Sequence, residues 1–242
     1  MTPTPTASSG SSAVTSVPVT ALLERVTAAH ETRRERERAM AMAAYMRGQF
    51  SFLGVPAPQR AAAYREVTSD LIAPTEQDLT AIVLSCWQRP EREYQYFATA
   101  LLRAHAGVVS AGFLPTVERL ITTRSWWDTV DELAQHVVGP LVAAHPDLRA
   151  DMDRWIDAED CWLARSAILH QLRYRDRTDA ETLFAYCLKR ARDTEFFIRK
   201  AIGWALREYS KSDPDAVLRF VVAHAGLLSG LSKREALGLI NR

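Results

Sequence analysis

Lysine is scarce in this chain. Only Lys189, Lys200, Lys211 and Lys233 occur, so nearly all positive charge is carried by arginine and the first 188 residues contain no lysine at all. Cysteine is as rare: Cys86, Cys161 and Cys187 form an odd, scattered set without metal-ligand spacing, which argues against a disulfide framework and predicts buried free thiols in a reducing cytoplasm. No apolar run approaches the roughly 18 to 20 residues of a membrane span, so no membrane partner is expected. The start, "MTPTPTASSGSSAVTSVPVT", has neither a basic beginning nor an apolar core and does not read as a secretory signal. Its Thr, Ser and Pro cannot build a hydrophobic interior, and residues 1–19 are expected to be a disordered tail. A Gly-rich phosphate loop, GxSxG, HExxH and CxxC are all missing, and the six histidines are scattered. Neither a cofactor nor a metal is expected.

What remains is helical. From about residue 20, apolar positions recur with a period near 3.6, and the breaks carry Gly and Pro, as in "FLGVPAPQR". Strands of alternating polarity are lacking, so the fold class is all-α. Short connections make successive helices antiparallel neighbours. Helices beginning near Trp126, Cys161, Phe196 and Leu231 are spaced by about 35 residues and resemble one another at their centres. This predicts one α-solenoid domain over 20–242, built of HEAT-like antiparallel helix pairs and curved around a concave groove. The groove is expected to be basic. Net charge is only +1, but residues 1–163 carry 15 basic and 20 acidic side chains, whereas 164–242 carry 15 and 9. A basic final third suits a phosphate-bearing partner, although an unevenly charged ordinary surface has the same counts.

The stretch "RSWWDTVDELA" concentrates the chemical interest. Ser125 and Asp128 match a capping box, which gives Asp128 a structural task. Asp131 lies beyond the reach of the helix N-terminus and shares a helix face with Trp127, four residues earlier. A carboxylate beside an indole makes a small cleft for a cation-like group; an exposed Asp beside a core Trp is the plainer possibility. Arg165 lies one repeat further on, and Trp204 one beyond that. If the repeats stack in register, all four converge. Taken alone, Trp204 reads as core, and Arg165 as the partner of Asp157, Glu159 or Asp160. The lysines suit phosphate contacts better than covalent chemistry.

"RSWWDTVDELA", "CWLARSAILHQL" and "FFIRKAIGWALREYSK", in that order and spacing, together with "AYMRGQFSFLGVPAPQR", resemble the AlkD-like DNA alkylation-repair glycosylases over roughly residues 35–242. The resemblance implies a HEAT-like solenoid gripping duplex DNA and hydrolysing the N-glycosidic bond of cationic N3- and N7-alkylated purines, without flipping the base. By the same resemblance Asp131 is the catalytic carboxylate, Trp127 and Trp204 line the sugar, and Tyr45 and Arg165 belong to the site. Arg165 is expected to hold a flanking phosphate, with Lys200, Lys211, Lys233 and Arg234 contributing further backbone contacts. No pocket lysine is expected, hence no strand-cleaving lyase step. The expected protein is a cytoplasmic monomer. A non-catalytic HEAT-like scaffold for DNA or protein is the alternative.

Overall fold

The computed structural model describes residues 18–71 and 73–240. The expected tail therefore lies almost wholly outside the described residues. Its predicted end at 19 is one residue late, since the first helix already includes Val19. The helices are α1 (Val19–Glu31), α2 (Arg36–Tyr45), α3 (Ala57–Thr68), α4 (Glu76–Gln88), α5 (Arg92–Ala104), α6 (Leu114–Thr122), α7 (Trp127–Leu133), α8 (Gly139–Ala144), α9 (Arg149–Ile156), α10 (Cys161–Leu169), α11 (Ala180–Lys189), α12 (Phe196–Tyr209), α13 (Pro214–Ala223) and α14 (Gly230–Ala236). No β-strand occurs among the described residues, and no helix is long and apolar enough to cross a membrane.

Local chemistry sets many of these boundaries. Thr75 and Asp78 close a capping box on α4. Asp160 accepts from the amides of Trp162 (2.8 Å) and Leu163 (3.2 Å) to start α10. Pro214 follows the capping Asp213 at the first position of α13, where its missing N–H costs nothing. The charged run at 31–38 divides α1 from α2, with Glu35 capping the second helix through the amides of Glu37 and Arg38.

The architecture is an all-α solenoid. Helices α5, α7, α10, α12 and α14 stand side by side, each touching the next, and their first residues are 35, 34, 35 and 34 apart. Helices α4, α6, α9, α11 and α13 pack against this row and supply the second member of each pair. The repeat thus begins one unit earlier than the sequence pattern shows, at Arg92. A continuous apolar interior runs from Leu22 to Ala236, with Trp155, Phe113, Leu101 and Ile121 fully buried.

Two details position the site. "WWDTVDELAQHVV" and "GPLVAAHP" do not form separate helices: α7 runs into α8 through one wide π turn, Ala134–Val138. Pro140 explains it, because its ring lacks an N–H and crowds the carbonyl four residues back; the extra residue of the wide turn relieves this. Gly139 closes the turn by donating to the Ala134 carbonyl, and a Cβ there would lie 2.3 Å from the His170 carbonyl oxygen at the end of α10. Likewise a Cβ on Gly203 would lie 2.4 Å from the Cβ of Glu235, so α12 and α14 approach backbone to side chain. Of the three cysteines, Cys86 and Cys187 are buried free thiols as expected, but Cys161, at the exposed start of α10, is only half-buried.

Candidate active site

Helices α7, α10 and α12 bring Asp131, Arg165 and Trp204 together. Arg165 is 1% exposed, and its guanidinium grips both oxygens of Asp131, Nε to Oδ1 at 2.7 Å and Nη2 to Oδ2 at 2.8 Å. The third nitrogen donates to the Phe197 carbonyl at the start of α12. One guanidinium therefore ties three successive repeats. Its face also lies 5.3 Å from the Trp204 ring. All three nitrogens of Arg165 bond within the protein, to Asp131 and Phe197, while its side chain also lines the cleft described next. The alternative partners Asp157, Glu159 and Asp160 are not used.

Asp131 is 9% exposed. Burial pushes its carboxyl pKa above the usual aspartate range, and the two hydrogen bonds and the charge of Arg165 oppose that rise. A bidentate guanidinium takes two of the roughly four lone-pair positions of a carboxylate, which leaves Asp131 with unused acceptor capacity, although the carboxylate itself lies below the cleft wall and not among its lining residues.

Above the pair lies a cleft of about 310 Å³ lined by Tyr45, Arg47, Trp126, Trp127, Arg165, Phe196, Phe197, Lys200 and Trp204. Five of these nine are Phe or Trp and one is Tyr. Trp127 and Trp204 are both part-exposed, so neither is the core residue that each would be if read alone. Tyr45, 74% exposed at the end of α2, meets Trp127 edge-on with ring centres 6.5 Å apart. Behind them Trp126, Trp162 and Phe197 pack as a trio, 4.8 to 5.8 Å between centres, and stiffen the wall.

The start of α7 is built differently from the expected capping box. The Ser125 hydroxyl donates to the Ile121 carbonyl (2.6 Å) and closes α6 instead, while Trp126 is the helix cap without a side-chain bond. Asp128 is claimed by the preceding repeat: Arg92 donates to it from Nε (3.0 Å) and Nη2 (2.6 Å), and the Tyr96 hydroxyl donates at 2.6 Å. A charge-assisted fork outcompetes one backbone amide. Arg92, fully buried, also holds the Arg124 carbonyl (2.8 Å) and the Thr129 hydroxyl (2.8 Å). Its neighbour Glu93 accepts from the amides of Leu53, Gly54 and Val55 and so fixes the loop that follows Tyr45. Arg92, Glu93, Trp126, Trp162, Phe196 and Phe197 are the functional surroundings that the sequence reading missed. For Arg92 and Glu93 a signal existed: an "RE" pair inside an otherwise core-facing helix needs buried partners.

The remaining predicted cations are dispersed. Lys200 does line the cleft, against the expectation that no lysine would, and its Nζ is 2.7 Å from Glu235 and 4.9 Å from the Trp204 ring centre. Lys211 pairs with Glu208 at 2.5 Å, and Lys233 donates to the Ala225 carbonyl at 2.8 Å. Arg234 is exposed on α14. No group of His, Cys, Asp and Glu able to hold a metal occurs among the described residues.

A family model described as DNA alkylation repair enzyme matches residues 26–240. Among solved structures, a predicted DNA alkylation repair enzyme from Enterococcus faecalis superposes with a TM-score of 0.80 at 31% identity, covering 87% of this chain and 98% of that one. The protein smu.31 from Streptococcus mutans UA159 gives a TM-score of 0.57 at 15% identity, covering 73% and 90%, a likeness of fold alone. None of the curated proteins compared with the chain matches it.

Proposed function

Because the chain belongs to the DNA alkylation repair enzyme family, with DNA as its substrate, we propose that it is a monofunctional glycosylase hydrolysing the N-glycosidic bond of cationic N3- and N7-alkylated purines, 3-methyladenine and 7-methylguanine among them, in duplex DNA. The observation that carries this reading is the buried Asp131 carboxylate, fixed by Arg165 beneath an aromatic cleft.

The chemistry suits one carboxylate. Alkylation at N3 or N7 leaves the purine positive, so it departs without a general acid, unlike the sugar substrates that need two carboxyl groups. The C1′–N bond breaks with its electron pair going to the purine, whose charge is discharged. The deoxyribose becomes cationic, and Asp131 stabilises it electrostatically. Water then forms the C1′–O bond, oriented by a free lone pair of Asp131, which takes the proton on its way to solvent. The indole faces of Trp127 and Trp204 add cation–π attraction, about 0.5 to 2 kcal/mol each. Arg165 acts through Asp131 as a positioning residue. Backbone phosphates fall to Tyr45 at the cleft and Arg234 beyond it. Lys200 is engaged by Glu235 rather than offered as an amine, and no lyase step follows. The protein works as a cytoplasmic monomer.

The test is release of 7-methylguanine from methylated duplex by the wild type and by Asp131→Asn, with borohydride trapping for a lyase intermediate. Loss of about 100-fold or more in the variant is expected, as for removal of one preorganised electrostatic group. Equal release by both proteins would remove Asp131 from the mechanism. Release by neither would favour a binding solenoid, a reading to which the mutual neutralisation of Asp131 and Arg165 also lends itself.

A further inference from the structure

Among the described residues, three other than glycine have left-handed backbone, and all three are arginines: Arg47 (φ 55°), Arg124 (φ 52°) and Arg175 (φ 57°). A residue with a Cβ adopts this region at a cost, and glycine is its usual occupant. At Arg47 the contrast is sharp. The Arg47 amide donates to the Ala44 carbonyl (2.9 Å) and the Gly48 amide to that of Ala43 (2.8 Å), the two bonds of a Schellman helix end. Its left-handed position is where glycine is strongly preferred, and here arginine holds it although Gly48 stands next in the chain.

Neither Arg47 nor Arg124 gains a local bond in return. Both side chains are exposed, and among the described residues neither makes a hydrogen bond or an ion pair. Their backbones are held fast. Arg124 presents its carbonyl to Arg92, the guanidinium that also secures Asp128 in the first turn of α7. Arg47 sits between the Schellman bonds and the loop fastened by Glu93. The two loops also meet, because Tyr45, two residues before Arg47, touches Trp127, three residues after Arg124. The cations deeper in the cleft are already engaged, Arg165 with Asp131 and Lys200 with Glu235. The cleft therefore has one unpaired guanidinium in its lining, Arg47, and a second, Arg124, two residues before the lining Trp126; a rigidly based guanidinium binds a phosphate through two parallel N–H bonds.

We propose that Arg47 and Arg124 form a phosphate clamp, each gripping the DNA backbone beside the nucleotide that sits over Asp131. The proposal rests on the reading of the cleft as a duplex-DNA site. Arg175 has the same backbone but lies on the loop after α10, which contributes nothing to this cleft, and it is not part of the clamp.

Glycine is the informative replacement, because it relieves the backbone while deleting the guanidinium. Affinity for a duplex containing a tetrahydrofuran abasic analogue is measured from 50 to 200 mM salt by anisotropy for the wild type, Arg47→Gly, Arg124→Gly and Arg175→Gly, with the melting temperature of each. Losing one phosphate contact lowers the slope of log K against log salt by about 0.9, so the affinity ratio across that range shrinks about 3.5-fold. This is expected for Arg47→Gly and Arg124→Gly, with melting temperatures unchanged or raised. Unchanged slopes in both, or a fall in melting temperature with affinity intact, would overturn the clamp while leaving the DNA reading in place. An equal fall in Arg175→Gly would overturn the assignment to these two loops. A wild type without salt-dependent duplex affinity overturns the DNA reading first, and the clamp with it.

Discussion

Arg165 and Asp131, 34 residues apart in the chain, form a two-bonded ion pair beneath the aromatic cleft, with the arginine almost wholly out of solvent. A pair this buried is expensive to break from one side, because the survivor keeps its charge without its partner. Arg165→Ala is therefore expected to destabilise the fold by about 3 to 5 kcal/mol, read as a shift in the urea midpoint. Arg165→Lys keeps the charge but not the fork, and should lower kcat more than it raises KM for DNA. A rise in KM alone would show that Arg165 touches phosphate after all.

The raised pKa of Asp131 has a consequence for the pH profile. If the ionised carboxylate is the working form, kcat/KM falls as pH drops through that pKa, and the acid limb lies above the 3.8 of an ordinary aspartate. Arg165→Lys weakens the opposing interaction and should move the limb further up. The effect on stability has the opposite sign from a usual surface aspartate. Folding favours the protonated form, so this group's contribution is present at low pH and is lost as pH rises through the folded pKa. An acid limb at or below that of an exposed aspartate would contradict the assignment.

His170 supplies a second pH effect. Buried at the end of α10 with Nδ1 against the Ala167 carbonyl, it has a pKa lowered from 6.5 to about 4, chiefly by desolvation. The unfolded chain binds the proton first, so stability is full above pH 6.5 and is lost as pH falls towards 4, by about 3 kcal/mol in all at 1.36 kcal/mol per unit. Urea melts at pH 7 and pH 4.5 should show the loss, and His170→Gln should flatten it.

Gly139 tests the register between α7 and α10. An alanine there drives its Cβ against the His170 backbone, and overpacking of this kind costs about 1 to 3 kcal/mol. Because the displaced helix carries Arg165, activity should fall with stability in Gly139→Ala. Gly107→Ala, which meets nothing within 4 Å, should stay within about 0.5 kcal/mol of wild type. Unaltered melting of Gly139→Ala would mean that α8 and α10 can separate freely.

The sequence announces the helices and the repeat from Trp126 onward, because apolar period and 35-residue spacing are both local patterns. Its failures share one cause. Ser125 and Asp128 satisfied a capping pattern, yet Asp128 answers to Arg92, 36 residues away. The acids nearest Arg165 in sequence are Asp157, Glu159 and Asp160, whereas its partner stands one repeat back, in "RSWWDTVDELA". Helix α5 escaped the repeat because its kinship is spatial: it opens on Arg92 and Glu93, where α10 opens on Cys161 and Trp162 and α12 on Phe196 and Phe197. Pro140 has the sequence signature of a helix breaker, but a widened turn carries the helix past it.

The ion pairs at one-repeat spacing, Arg92 with Asp128, Asp131 with Arg165 and Lys200 with Glu235, run like rungs from one coil of a spring to the next. The distance between Asp131 and Trp204 is therefore set by the pitch of the whole spring and not by any one segment. Loosening any one rung is expected to shift the groups it ties.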